Sequence, residues 1–266
     1  MLSISTLSAK GAYEVLLRLS TGDAKFKDLN SVVKNTRTLT RRLRDLESAG
    51  LIEGVEGSYK ITNAGFEALV RVYDVEMESG WKWVNMDEFK KLRYNWLSIP
   101  FKGLVKLFLE ELSHNLVSIA LYGSSVKESF KMGESDVDML YIVEDDVENF
   151  LAHEAEVFKR FRSTYEYAAF DHWFKMRGLY GYPEITVTSL RRSHALNFQP
   201  IYLDMILHRA ILYDKNNFLK SLIQRLQNRL KALGAERIEY TDGLWYWVLK
   251  PDLKPGEILE IDLKRD

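Results

Sequence analysis

The segment Leu116–Val143 constrains the fold more than any other part of the chain. Leu116–Tyr122 (LVSIALY) is a short apolar run of strand type. Gly123-Ser124-Ser125 follows at once, and residues 126–132 have the composition to begin a helix. Gly133-Glu134-Ser135-Asp136-Val137-Asp138 then leads into Met139–Val143 (MLYIV), a second buried strand. Side chains alternate along a strand, so Asp136 and Asp138 share one face while Val137 turns into the core. Two carboxylates on one face can bridge two Mg²⁺ ions about 3.5–4 Å apart. Magnesium takes oxygen ligands, and substrate phosphates complete its shell. Gly123 lets the backbone approach a phosphate without a Cβ in the way. Ser124, at the start of the expected helix, adds a hydroxyl and N–H groups that favour anions.

This arrangement resembles the polymerase-β-like nucleotidyltransferase superfamily, whose signature is Gly-Ser, a spacer and Asp-x-Asp flanked by apolar residues. The match runs through Gly123, Ser124, Ser135, Asp136 and Asp138, with Val137, Met139 and Leu140 in the apolar positions. The compact spacing is most similar to the minimal members, which include aminoglycoside-modifying enzymes and antitoxins that transfer AMP to a partner protein. Lys127-Glu128 stands where many minimal members carry Arg-Gly, and Lys127 keeps a positive charge there. The resemblance implies Mg²⁺ on Asp136 and Asp138, with a nucleoside triphosphate, ATP in the first instance, held by Gly123, Ser124, Ser125, Lys127 and Ser135. It also implies a third carboxylate on a later strand, completing one metal site and acting on the attacking hydroxyl. Ile185–Leu190 (ITVTSL) reads as that strand, and Glu184 after Gly181-Tyr182-Pro183 is the candidate, with Asp171 its competitor. Arg191 and Arg192, just past this strand, either meet phosphates or stand in solvent.

Upstream, residues 8–20 put Ala12, Val15, Leu16 and Leu19 on one helical face, and a short helix fits Lys25–Val33. Leu39, Leu43 and Leu46 repeat at helical spacing, with Asn35 or Thr36 to cap the start and Gly50 to end the helix. Leu51-Ile52-Glu53 and Ser58–Thr62 flank Glu56-Gly57 as a β-hairpin, and Asn63 opens a further helix. The order, and the stretch TLTRRLRDLESAGLIEG…YKITNAG, resemble MarR/ArsR-type winged-helix modules. In such modules the third helix enters the major groove. Here it would present Arg37, Thr38, Arg41, Arg42 and Arg44. The same arginines also suit a merely solvated helix face, and winged helices also dock proteins. The hairpin tip, with Glu53 and Glu56 against Lys60, is poorly suited to phosphates.

These readings give a mixed α+β chain: a winged helix over 1–78, a connector over 79–100, a nucleotidyltransferase α/β domain over 101–214 and a C-terminal helix and hairpin over 215–266. In the connector, Trp81, Trp83, Tyr94 and Trp96 suit a domain interface or base stacking. Residues 101–113 read as an amphipathic helix, residues 197–213 as helix then strand, and Asn217–Leu233 as a basic amphipathic helix ended by Gly234. Trp245–Leu249 and Ile258–Ile261 read as a closing hairpin. His153, His172 and His194 show no metal-ligand spacing.

Composition narrows the partners. The 266 residues carry a formal net charge of −1, so nucleic acid must be met by a local basic patch rather than a global field. With no cysteine there is neither a disulfide nor a thiolate metal site. Met1–Lys10 is polar, no apolar stretch approaches the roughly 20 residues of a membrane span, and the chain is expected in the cytoplasm with no membrane partner. The expected function is Mg²⁺-dependent transfer of a nucleoside monophosphate to an acceptor hydroxyl on protein, RNA or a small molecule, with DNA held by the winged helix. The alternative is a winged-helix regulator whose second domain senses nucleotide or is inactive.

Overall fold

The apolar spacings resolve into elements that run as follows in a computed structural model, which describes residues 4–80, 84–179, 184–241 and 244–264. First come α1 (Ile4–Leu7), α2 (Ala12–Leu19), β1 (Ala24–Lys25), α3 (Phe26–Val32), α4 (Thr36–Ser48), β2 (Ile52–Val55), β3 (Ser58–Ile61) and α5 (Asn63–Gly80). Next are α6 (Met86–Phe89), α7 (Ser98–Leu112), β4 (Leu116–Tyr122), β5 (Val137–Val143), α8 (Phe150–Phe161) and α9 (Tyr165–Lys175). The chain continues with β6 (Ile185–Arg191), α10 (Arg192–Ala195), α11 (Ile201–Met205), β7 (Arg209–Asp214), α12 (Phe218–Ala232), β8 (Glu236–Glu239) and β9 (Trp245–Val248). The class is mixed α+β, as the sequence indicates. No described helix is long and apolar enough to cross a membrane.

The chain forms two compact units. The first gathers Met1–Lys82, Tyr94–Leu107 and Glu154–Pro183. Here α2 buries Ala12, Val15, Leu16 and Leu19, and α4 buries Leu39, Leu43 and Leu46. The Asn35 side chain caps α4 by accepting from the Thr38 N–H at 2.9 Å. Gly50, at φ +70°, ends it, with the Leu51 N–H turned back to the Leu46 carbonyl at 2.9 Å. Strands β2 and β3 pair from Ile52↔Ile61 to Val55↔Ser58 across Glu56 and Gly57, both at positive φ, the two-residue turn that matches strand twist. Adding β1 to β3 completes a three-stranded wing. Trp96 belongs to this unit's core: its ring stacks on Trp173 at 3.8 Å and meets Phe174 edge-on. The apolar face of α9 (Ala169, Phe170, Trp173, Phe174) thus finds its cover on the connector, so the first unit extends beyond the winged helix. That packing leaves the Trp96 ring no role in stacking bases. Trp81, Trp83 and Gly181-Tyr182-Pro183 lie outside the described residues.

The second unit comprises Trp83–Arg93, Phe108–His153 and Glu184–Asp266. Its sheet runs β6-β5-β4-β7, with β5 parallel to β6 and the other neighbours antiparallel. Every residue of β4 is buried, and every residue of β5 except Asp138. Continuous apolar runs are what central strands covered on both faces require. One face carries Ala120, Tyr122, Leu140 and Ile142 against α11 and α12, the latter contributing Leu219, Leu222, Ile223, Leu226 and Leu230.

Two expectations fail in this unit. Residues 126–132 form no helix: the chain leaves a short 3-10 turn (Gly123–Val126) with Lys127 extended, at φ −119° and ψ 159°. Burial of Phe130 and the bond from the Lys131 N–H to Ser135 Oγ at 2.9 Å hold it as a loop. The closing hairpin pairs differently as well. β9 pairs with β8, from Glu236↔Val248 to Glu239↔Trp245, while Ile258 is 90% exposed and outside any strand. The charged stretch ERIE follows directly on the Gly234 turn that ends α12, and that proximity makes it the partner.

Candidate functional site

The bend after β4 is shaped around one carboxylate. Gly123 sits at φ +68°, and a Cβ built there would lie 2.2 Å from Asp138 Oδ2. The missing side chain therefore makes room for Asp138, which the register sets opposite Tyr122, rather than for an incoming phosphate. Ser125 is fully buried, and its Oγ donates to the Tyr122 carbonyl at 3.0 Å. Its hydroxyl holds the bend. Ser124 Oγ donates to the Asp136 carbonyl at 3.2 Å, tying the bend to the start of β5. Ser135 is spent on the loop, as described above.

Charge at this point is unbalanced. Burial raises the Asp138 carboxyl above the ordinary range, and the negative charges of Asp204 and Asp136 push it further, with Lys127 opposing. Asp204 comes from α11, far along the chain, and accepts an ion pair from Lys127 Nζ at 2.7 Å. Tyr122 and Thr188 meet through their hydroxyls at 3.2 Å, and burial raises the Tyr122 phenol. Asp136 is exposed where Asp138 is half-buried. Across the parallel pair the Val137 N–H donates to the Glu184 carbonyl at 2.8 Å, and Asp138 is in register with Thr186. Glu184 thus stands beside Asp136 at the start of β6, with its side chain exposed.

The competing assignments fall elsewhere. Asp171 is on α9 of the first unit, ion-paired with Lys175 at 2.6 Å. Arg192 is paired to Glu144, and Arg191 donates to the Asp145 carbonyl. Asp204 escaped sequence reasoning because no spacing links it to Asp136 and Asp138; only tertiary folding brings it there.

The donor set suits a hard divalent cation. It is all oxygen, and the negative charges of Asp136 and Asp204 acting on Asp138 are a charge pattern that such an ion relieves. Among the described residues no three acidic or histidine side chains converge into a ready-made cage. Substrate oxygens would have to complete the shell, as they commonly do for magnesium.

On α4, Arg37, Arg41 and Arg44 are exposed at spacings of four and three, which aligns them on one face, and Thr38 is half-buried beside them. Arg42 is not part of that face. It is 7% exposed, its Nε donates to the Lys10 carbonyl at 3.0 Å, and its Nη1 reaches Asp45 Oδ2 at 2.8 Å. Its neighbours face water because the helix turns about 100° per residue, and position 42 falls on the side of Leu39, Leu43 and Leu46. Lys60 on the wing is paired with Asp23 at 3.6 Å.

A comparison with known proteins finds a helix-turn-helix relative. Over 83 residues the chain is 32% identical to an uncharacterized HTH-type transcriptional regulator of Methanocaldococcus jannaschii, a match covering 29% of this chain and 78% of that protein. The chain belongs to this helix-turn-helix family. No protein-family model matches it.

Proposed function

We propose that the second unit transfers a nucleoside monophosphate, AMP in the first instance, from a triphosphate to an acceptor hydroxyl, and that α4 holds duplex DNA. The observation that carries the first half is the Asp138 carboxylate fitted against Gly123, with the negative charges of Asp204 and Asp136 acting on it. Together with the Gly-Ser and Asp-x-Asp pattern, this supports kinship with minimal nucleotidyltransferases. Asp136 and Asp138 would hold Mg²⁺, which neutralises triphosphate charge when bound. The chain's own part is positioning. The bend fixes Asp138, Ser124 ties the bend to Asp136, and Lys127 supplies positive charge near the phosphates. The acceptor oxygen bonds to the α-phosphorus as the bond from that phosphorus to the β-phosphate bridging oxygen breaks. Pyrophosphate leaves, and Glu184, beside Asp136, takes the hydroxyl proton. For the first unit, the stripe of Arg37, Arg41 and Arg44 supports phosphate contact along a major groove.

Likeness to the M. jannaschii HTH-type transcriptional regulator favours a second reading, a transcriptional regulator whose second unit senses nucleotide without transferring it. One experiment separates the two. The purified chain is incubated with each α-labelled triphosphate, Mg²⁺ and cell lysate, beside the Asp136→Ala/Asp138→Ala variant. Label entering protein, RNA or a small molecule with wild type only supports transfer and names the acceptor class. Equal labelling by both proteins sinks the mechanism. No labelling, with DNA affinity that shifts on adding ATP, favours the sensor.

A further inference from the structure

The C-terminal hairpin brings an aromatic ring within 5.7 Å of Lys127, a ring that the expected chemistry does not use. In the β8–β9 register Arg237 pairs with Trp247 and Glu239 with Trp245, so these four side chains share one face. Trp247 on that face packs into the core that α11 and α12 build, so the face is turned toward the body of the unit. Trp245, nearer the free end, escapes the core and stays 36% exposed. Lys127 Nζ lies 5.7 Å from its ring centroid and the Arg237 guanidinium carbon 4.9 Å. Both lie within cation–π reach of the ring, though further off than Arg177, which sits 3.5 Å over Trp173. The same Lys127 is ion-paired to Asp204, whose charge acts on Asp138. Outward from the sheet, carboxylates, then an ammonium, then a partly exposed indole follow one another. A nucleotide offers the matching series of metal-bound phosphates, further phosphate charge, and a flat base.

We propose that Trp245 is the stacking surface for the base of the nucleoside triphosphate. The assignment rests on the Asp138 site being a triphosphate site, and it adds the residue that holds the nucleoside end. Aromatic stacking is tolerant of base identity, because every base has a π-face, so Trp245 separates a nucleotide from bare phosphate rather than one base from another. The cations over the ring keep it oriented, and it stays 36% exposed.

The test uses the full chain, titrated calorimetrically with Mg²⁺ and either ATP or inorganic tripolyphosphate in the absence of an acceptor. Trp245→Ala should weaken ATP about tenfold or more and leave tripolyphosphate unchanged. Trp245→Phe, which keeps an aromatic face, should retain most of the ATP affinity. Loss of tripolyphosphate affinity to the same extent as ATP would mean the hairpin only shapes the site, and unchanged ATP affinity would mean the ring is idle; either overturns the assignment. Wild type binding both ligands equally well leaves the phosphate site standing and removes Trp245. Wild type binding neither removes the triphosphate site itself, and the assignment with it.

Discussion

The two units each turn one charged side chain inward beside a neighbour that stays in water, and they treat it differently. On α4, Arg41 is exposed while Arg42 is buried, but Arg42 meets the Lys10 carbonyl and Asp45 at hydrogen-bond distance. At the Gly123 bend, Asp136 is exposed while Asp138 is half-buried, and the charges of Asp204 and Asp136 act against the Asp138 carboxylate with Lys127 opposing them. An inward charge whose partners are supplied by the chain holds a fold together. An inward charge opposed by like charges weakens the fold, and such sites are where ligands and metals act. Arg42 is therefore structural, whereas Asp138 is the residue on which the proposed chemistry would turn.

The comparison breaks most visibly at the acidic site. Asp138→Ala or Asp136→Ala should lower nucleotide transfer by roughly 10³-fold, since a metal contributes several kcal/mol of charge stabilisation. Single-turnover transfer of α-labelled ATP measures this, and Arg42→Ala should leave that rate within about threefold of wild type. Gly123→Ala should cost about 10²-fold in the same assay, because the new Cβ meets Asp138 Oδ2 and displaces the carboxylate. It also places an L side chain at φ +68°, worth about 1–2 kcal/mol of stability by urea titration.

On the other side of the comparison, Arg42→Ala should destabilise the chain by about 1–3 kcal/mol, since it strands the Lys10 carbonyl and Asp45. Arg41→Ala should change stability by less than about 0.5 kcal/mol. It should instead reduce the slope of log affinity for duplex DNA against log salt by about 0.9. If Arg41→Ala destabilises and Arg42→Ala alters only the salt slope, the two roles are reversed.

The smallest effect concerns pH. The Asp138 carboxyl is held above its usual 3.8 in the folded chain, so folding favours its protonated form. Stability tied to this group is present at low pH, falls as pH rises from about 3.8 through the raised folded value, and stays low above it. Asp138→Asn should accordingly raise Tm at about pH 7 and make little difference near pH 4. A lower Tm at neutral pH would show Asp138 to be a matched charge like Arg42.

What the sequence disclosed follows from periodicity. The all-apolar β4 and β5 and the Glu56-Gly57 turn announce themselves, because burial on both faces and a two-residue turn each leave a local mark. The α4 stripe of leucines is equally plain and position 42 falls on its side, yet the sequence hides that the Lys10 carbonyl, remote in the chain, receives the Arg42 guanidinium. Asp204 and Trp245 reach the site only through tertiary folding. Strand β8 is hidden by its charged composition, and the loop at 126–132 by helix-compatible residues that Phe130 and Ser135 pin into another shape.

The most direct measurement replaces Mg²⁺ with Mn²⁺ and follows free ion by electron paramagnetic resonance as the full chain is titrated with ATP present. Wild type should take up Mn²⁺ in an ATP-dependent manner, and the Asp136→Asn/Asp138→Asn variant, folded by circular dichroism, should bind at least about tenfold more weakly. Equal uptake by both proteins would contradict the placement of the metal on these two aspartates.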